Sequence, residues 1–333
     1  MKNACFYTLT IFAAVLGFST AVFAEDPITC NELNATTFEP EGAEGSWFKP
    51  GNWSYDVPDS TKIACISSDK TAIIRPYICI GGEHDGEICP FPVPCPEECG
   101  PSPLAQAGRI RINASGTVIV DGDSHPANFK LYGDSTVDGE LRLFSSPTLY
   151  INGQITFDGS GDIVLLQENT NNDLPTIEGQ GELTLEGACA ESCSPDEWAE
   201  EYRDDNLVLS GAGVIDIALD NDAHVVATHE RALTIKKQAY GNGFWIAEPG
   251  EQTAGVLDID IDIDTVTGSG TWVVAGHSTA EIRINTACTD LTGDFLVYNG
   301  TLLLSEDFDT DGNLVMTGGT ITLASGKYAM FGY

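Results

Sequence analysis

From about residue 113 onward the chain repeats one small pattern, a Gly followed by apolar residues two and four positions later. It reads GTVIV from Gly116, GELRL from Gly139, GQITF from Gly153, GDIVL from Gly161 and GELTL from Gly181. It returns as GVIDI from Gly213, GVLDI from Gly255, GTWVV from Gly270, GDFLV from Gly293, GTLLL from Gly300, GNLVM from Gly312 and GTITL from Gly319. A turn residue followed by a period of two predicts a short strand each time, and no window of comparable length carries helical periodicity.

The occurrences lie 7 or 8 residues apart in places and 12 to 23 apart in others, with wider gaps after Gly181 and Gly213. A hairpin meander of fixed length does not produce this mixture. A coil with two or three short strands per turn and loops of varying length does, because each turn stacks its alternate apolar residues on those of the next while Gly makes the corners. The pattern therefore predicts an all-β fold, a right-handed parallel β-helix of roughly ten turns if each uses about 20 to 25 residues. The competing architecture is a pair of antiparallel β-sandwiches.

The chain divides into three parts on this reading. Residues 1–24 carry one Lys, an apolar stretch and then VFA before an acid, the order of a secretory signal peptide with cleavage after Ala24. A retained membrane anchor is the alternative, but the apolar part is interrupted by Thr and Gly and is short for a span. Residues 25–112 form an N-terminal cap and first turns, with a Pro-, Gly- and Cys-rich insertion at about 77–104. Residues 113–333 form the repeat region. No second apolar run of spanning length follows the leader, so the mature chain is expected to be exported without a transmembrane segment.

Charge narrows the partners. The formal net charge is −35, and removing residues 1–24 takes away Lys2 and no acid, leaving −36. A surface this negative repels nucleic acid and anionic lipid, and disfavours anionic polysaccharide unless a cation bridges the two. Nine cysteines remain after the leader, which in an exported chain read as disulfides. The odd count leaves one over, and spacing offers Cys79 with Cys89, Cys95 with Cys99 and Cys189 with Cys193 as the simplest pairs.

The entry GSWFKPGNWSYDVP, the insertion CIGGEHDGEICPFPVPCPEEC, the repeating GxLxL strands and the close GNLVMTGGTITLASGKYAMFG resemble exported bacterial β-helix proteins, similar in build to autotransporter passengers. The resemblance covers most of the mature chain and is carried by structural motifs. It implies an extracellular or cell-surface structural or adhesive role, with a surface polymer or other surface proteins as partners. No catalytic residue can be carried over from it.

The residues offer few chemical constellations. In DFDTDGNLVMTG, Asp307, Asp309, Asp311 and Gly312 match positions 1, 3, 5 and 6 of a calcium loop, but position 12 is Gly318 and strands flank it. An acidic turn competes with calcium as the explanation, and calcium is the sole cofactor suggested. Trp245 and Tyr240, in AYGNGFWIAEPG, are candidates for a sugar-stacking platform, with core packing the favoured competing explanation, whereas Trp272 takes the inward register of GTWVV and Trp47 and Trp53 read as cap and core. In DIDIDID, Leu257, Ile259, Ile261 and Ile263 share one strand face, while Asp258, Asp260, Asp262 and Asp264 share the other.

Enzymatic chemistry finds little support. The histidines are isolated, and His224 and His229 read as ordinary surface or turn residues. Lys236 and Lys237 form the only local basic grouping of the repeat region together with Arg231, with no carboxylate cluster beside them in sequence. The expectation is a non-catalytic structural or adhesive β-helix at the cell surface or in the periplasm. The alternative is a polysaccharide-binding or polysaccharide-degrading protein of the same build.

Overall fold

The computed structural model of the protein describes residues 29–80, 98–101, 104–122, 127–167, 174–187, 203, 206–229, 231–249, 255–260, 266–286 and 289–332, with backbone alone at 77, 79–80, 98–101 and 289–290. The expected leader therefore lies outside the described residues, as do Cys89, Cys95, Cys189, Cys193, Asp262 and Asp264.

Each repeat supplies up to three short strands, as in Asn128–Leu131, Ser135–Val137 and Glu140–Phe144. The third strand of each repeat joins an eleven-stranded sheet, whose strands follow one another in chain order. The first and second strands join a seventeen-stranded sheet. Every pairing in both large sheets is parallel among the described residues, whereas sandwich sheets are antiparallel. The two tracks of the long sheet merge because Thr148–Asp158, Thr176–Glu186 and Gly213–Asp222 run through both as continuous bent strands.

The register is in phase with the pattern. In the short sheet Val118, Leu141, Ile163, Leu209, Val225, Trp245, Trp272, Phe295 and Leu314 stand in one column, each the partner of the next. The two apolar residues of each motif are buried from Gly116 through Gly300. The last two motifs differ, since Leu314 and Ile321 are half-buried and Met316 and Leu323 exposed. The motif glycines also stack. A Cβ on Gly139 would strike the carbonyl of Gly116, one on Gly161 that of Gly139, and Gly243, Gly270, Gly293 and Gly312 form a second such column. Close backbone approach between successive repeats is thus the reason for Gly at this corner.

At the N-terminal end Phe38, Trp53, Trp47 and Phe129 pack edge to face at centroid distances of 4.9, 4.9 and 5.1 Å. Trp53 Nε1 donates to the Trp47 carbonyl at 2.7 Å, so these tryptophans are core and cap as expected. Beside them Cys30 is joined to Cys65, Cα atoms 5.9 Å apart, a pair that short spacing did not suggest because the two lie 35 residues apart. Strand Ile63–Ile66 pairs directly with Arg109–Ile112, so the Cys-rich stretch lies between two neighbouring strands. Within it Tyr77–Ile80 and Glu98–Pro101 are antiparallel, with Cys79 in register with Cys99.

The outer faces of the two sheets differ. On the long sheet polar side chains alternate outward, as in Gly213–Asp222. On the short sheet, strands His224–Ala227, Phe244–Ala247 and Thr271–Val274 are buried on both faces. The outward residues Val208, Val226, Phe244, Ile246, Val273, Ala275 and Leu296 form a second apolar cluster, separate from the interior core. His224, expected at the surface, is buried there and stacked on Phe244 at 4.9 Å.

Candidate functional site

The long bent strands Thr176–Glu186 and Gly213–Asp222 carry the most developed surface site. Their pairing slips between Glu178 and Glu182, where three residues of one strand face one of the other. A bulge of this kind bends the strand and re-aims side chains. Gln180 and Gly181 are left exposed at the bend, and polar groups gather on either side of it.

On one side lies an open groove of about 450 Å³ lined by Lys130, Tyr150, Asn152, Glu178, Gln180, Asp216 and Lys237. Lys130, Tyr150, Glu178 and Asp216 occupy successive strands in one register column, and Asn152 and Gln180 form a second. Parallel strands are about 4.8 Å apart, so the groove runs across the strands with one side chain per step. The Tyr150 hydroxyl donates to the Glu178 carboxylate, and burial foremost, then that charge and hydrogen bond, hold the phenol above its ordinary value. Asp216 pairs with Lys237 at 3.4 Å. Lys130 lies 5.0 Å from the centre of the Tyr132 ring, a cation–π contact.

On the other side are Glu182, Asp220, Asp222 and Tyr240. Asp220 is in register with Tyr240. Half-burial, then the charges of Asp222 and Glu182, raise the Asp220 carboxyl to about 6. Burial, then a hydrogen bond to Glu182 and the charges of Glu182 and Asp220, push the Tyr240 phenol well up. The cluster is thus a place where burial and neighbouring acids let one carboxyl, that of Asp220, take a proton near pH 6.

The sequence candidates meet this geometry unevenly. Tyr240 is half-exposed and belongs to the cluster. Trp245 does not form a platform. It is 1% exposed, stacked on Trp272 at 5.1 Å, which stacks on Phe295 at 6.0 Å, because its register is inward like that of the two residues above it. Asp307, Asp309 and Asp311 alternate with the buried Phe308 and Thr310, with the two-residue strand Phe308–Asp309 in their midst and a bend at Asp311 and Gly312. Among the described residues no group of three His, Cys, Asp or Glu side chains is arranged to hold a metal ion. Asp258 is half-buried opposite Arg283 and accepts from Asn285 Nδ2 at 2.8 Å, so the neighbouring strand brings a cation and an amide to the DIDI stretch. Burial nonetheless raises its carboxyl, with Arg283 opposing.

A second cavity, of about 360 Å³, borders the covered face of the short sheet. There Arg203 meets Glu248 through two hydrogen bonds of 2.6 and 2.9 Å, with 11% and 22% of the two side chains exposed. Sequence reasoning missed both this pair and the groove. The groove residues are spread from 130 to 237 and carry no motif, and only the parallel register brings them together. Among the described residues no helix is long and apolar enough to cross a membrane. In comparisons with known proteins, no family model, curated protein or solved structure matches the chain.

Proposed function

We propose that the chain is an exported right-handed parallel β-helix that serves as a structural and adhesive element at the bacterial cell surface, without catalysis of its own. The observation that carries this reading is the uninterrupted parallel ladder, eleven strands in chain order, with apolar columns inside. Stacked repeats give a stiff support, and the open face between loops is available for contact with a surface polymer or another surface protein. The acids of the groove are engaged as binding groups: Glu178 accepts from Tyr150 and Asp216 pairs with Lys237.

Expression with its own first 24 residues in a bacterial host tests the placement. The expected product begins at Glu25 and is cleaved by protease added to whole cells. A product that keeps Met1 and resists protease until the cells are lysed would overturn it.

A second reading, a polysaccharide-degrading protein, draws on Glu178 and Asp216 being register partners on adjacent strands. A screen for reducing-end or unsaturated products against a polysaccharide panel separates the two. Clear turnover lost in Glu178→Gln would replace the non-catalytic reading.

A further inference from the structure

We propose that the groove across the bent strands binds a neutral saccharide chain laid perpendicular to the strands. The inference rests on the adhesive reading above and names the class of ligand this face would take. Its first support is shape: an open trough whose side chains repeat once per strand suits a polymer with a repeating unit, and a pyranose unit is close to one strand spacing in length.

Its second support is the state of the polar groups. The exposed Asn152 and Gln180 amides are register partners and make no side-chain hydrogen bond within the described structure, so each offers a donor and an acceptor. The Lys130 ammonium has no carboxylate partner there and rests over the Tyr132 ring. Vicinal hydroxyls, which donate and accept at once, match such a set.

Charge supplies the third. Lys130 and Lys237 balance Glu178 and Asp216 inside the groove, while the chain as a whole carries −35. The local balance admits a neutral ligand, and the surrounding field repels a polyanion. The Tyr150 ring, half-exposed beside the amides, adds an apolar face for the ring carbons of a sugar.

The test is titration calorimetry of the full mature chain with neutral hexasaccharides of glucose, mannose, xylose and N-acetylglucosamine, alongside polygalacturonate. At least one neutral hexamer is expected to bind in the range of about 0.1–1 mM, with little change between about 50 and 500 mM NaCl. Gln180→Ala and Tyr150→Ala should each weaken it by about tenfold or more, while Lys70→Ala, far from the groove, should leave it unchanged. Saturation by polygalacturonate alone, no neutral hexamer binding at about 10 mM, or binding indifferent to both groove variants would each overturn the proposal. None of these outcomes bears on where the protein is delivered, so the adhesive reading stands or falls by its own experiment.

Discussion

The outer faces of the two sheets are built on the same parallel register yet meet different surroundings. On the long sheet, outward positions carry Lys130, Tyr150, Glu178 and Asp216, half-exposed and polar. On the short sheet, the outward Val208, Val226, Phe244, Ile246, Val273 and Leu296 are apolar and buried. A parallel strand covered on one face alternates, and one covered on both faces reads as a continuous apolar run. FWIA at Phe244–Ala247 and TWVV at Thr271–Val274 are such runs, so the second core had a signature in the sequence. The open face can exchange partners with solvent, and the covered face is part of the fold.

The sharpest way to break this contrast is a charge on each face. Ile246→Asp would bury a carboxylate in the second cluster and is expected to cost about 4 kcal/mol or more in denaturant unfolding. Glu178→Lys on the open face should stay within about 1 kcal/mol. Comparable losses at the two positions would erase the distinction.

Next in size is the ion pair at the margin of the covered face. Arg203→Ala leaves Glu248 largely enclosed and should cost about 2 kcal/mol, less than for a fully buried pair because part of each side chain is wet. Arg142→Ala breaks the more exposed pair with Glu140 and should cost no more than about 1 kcal/mol. A stability ranking of these two variants in the opposite order would place the border of the covered face elsewhere.

A smaller effect is expected from Asp220. Its folded carboxyl titrates at about 6, above the unfolded value of about 3.9. Below the unfolded value the group is protonated in both states and costs nothing. As pH rises from about 4 to 6 the unfolded chain releases its proton first, so folding loses stability across that window and the loss is constant above it. Asp220→Asn should therefore raise the thermal midpoint at pH 7 and leave it nearly unchanged at about pH 3.5. An equal shift at both pH values would mean that the carboxyl is not held in the protonated form by its surroundings.

The smallest effect belongs to the groove amides. Asn152→Ala and Gln180→Ala should move the unfolding free energy by no more than about 0.5 kcal/mol, since both side chains are exposed and make no hydrogen bond among the described residues. A large loss would make them part of the scaffold rather than of a binding surface.

The reach of the sequence can be judged at single residues. Period two placed Leu257 and Ile259 inside and Asp258 outside, and Trp272 in the core, because a side-chain direction in a strand follows from its neighbour's. The same rule, applied to Trp245, sets it inward beside Trp272, in line with the packing explanation rather than with the platform that its aromatic neighbours also suggest. At Asp307, Asp309 and Asp311 the two-residue strand Phe308–Asp309 sets the alternation of acids with the buried Phe308 and Thr310, a local feature that the spacing of the acids does not by itself reveal. Cys30 and Cys65 could not be paired from spacing, since their meeting depends on Ala35–Phe38 lying against Ile63–Ile66.

What the amino-acid order determined by itself is the local geometry: where strands begin, which of their faces is apolar, and why Gly recurs where successive repeats touch. These are properties of a few consecutive residues and of the two-residue period of an extended chain. What the tertiary structure alone decided is which strands are neighbours and that Lys130, Tyr150, Glu178 and Asp216 form one column. Those facts depend on contacts between residues 20 to 40 positions apart, whose register is set by the loops between them, and loop length carries no period from which that register can be read.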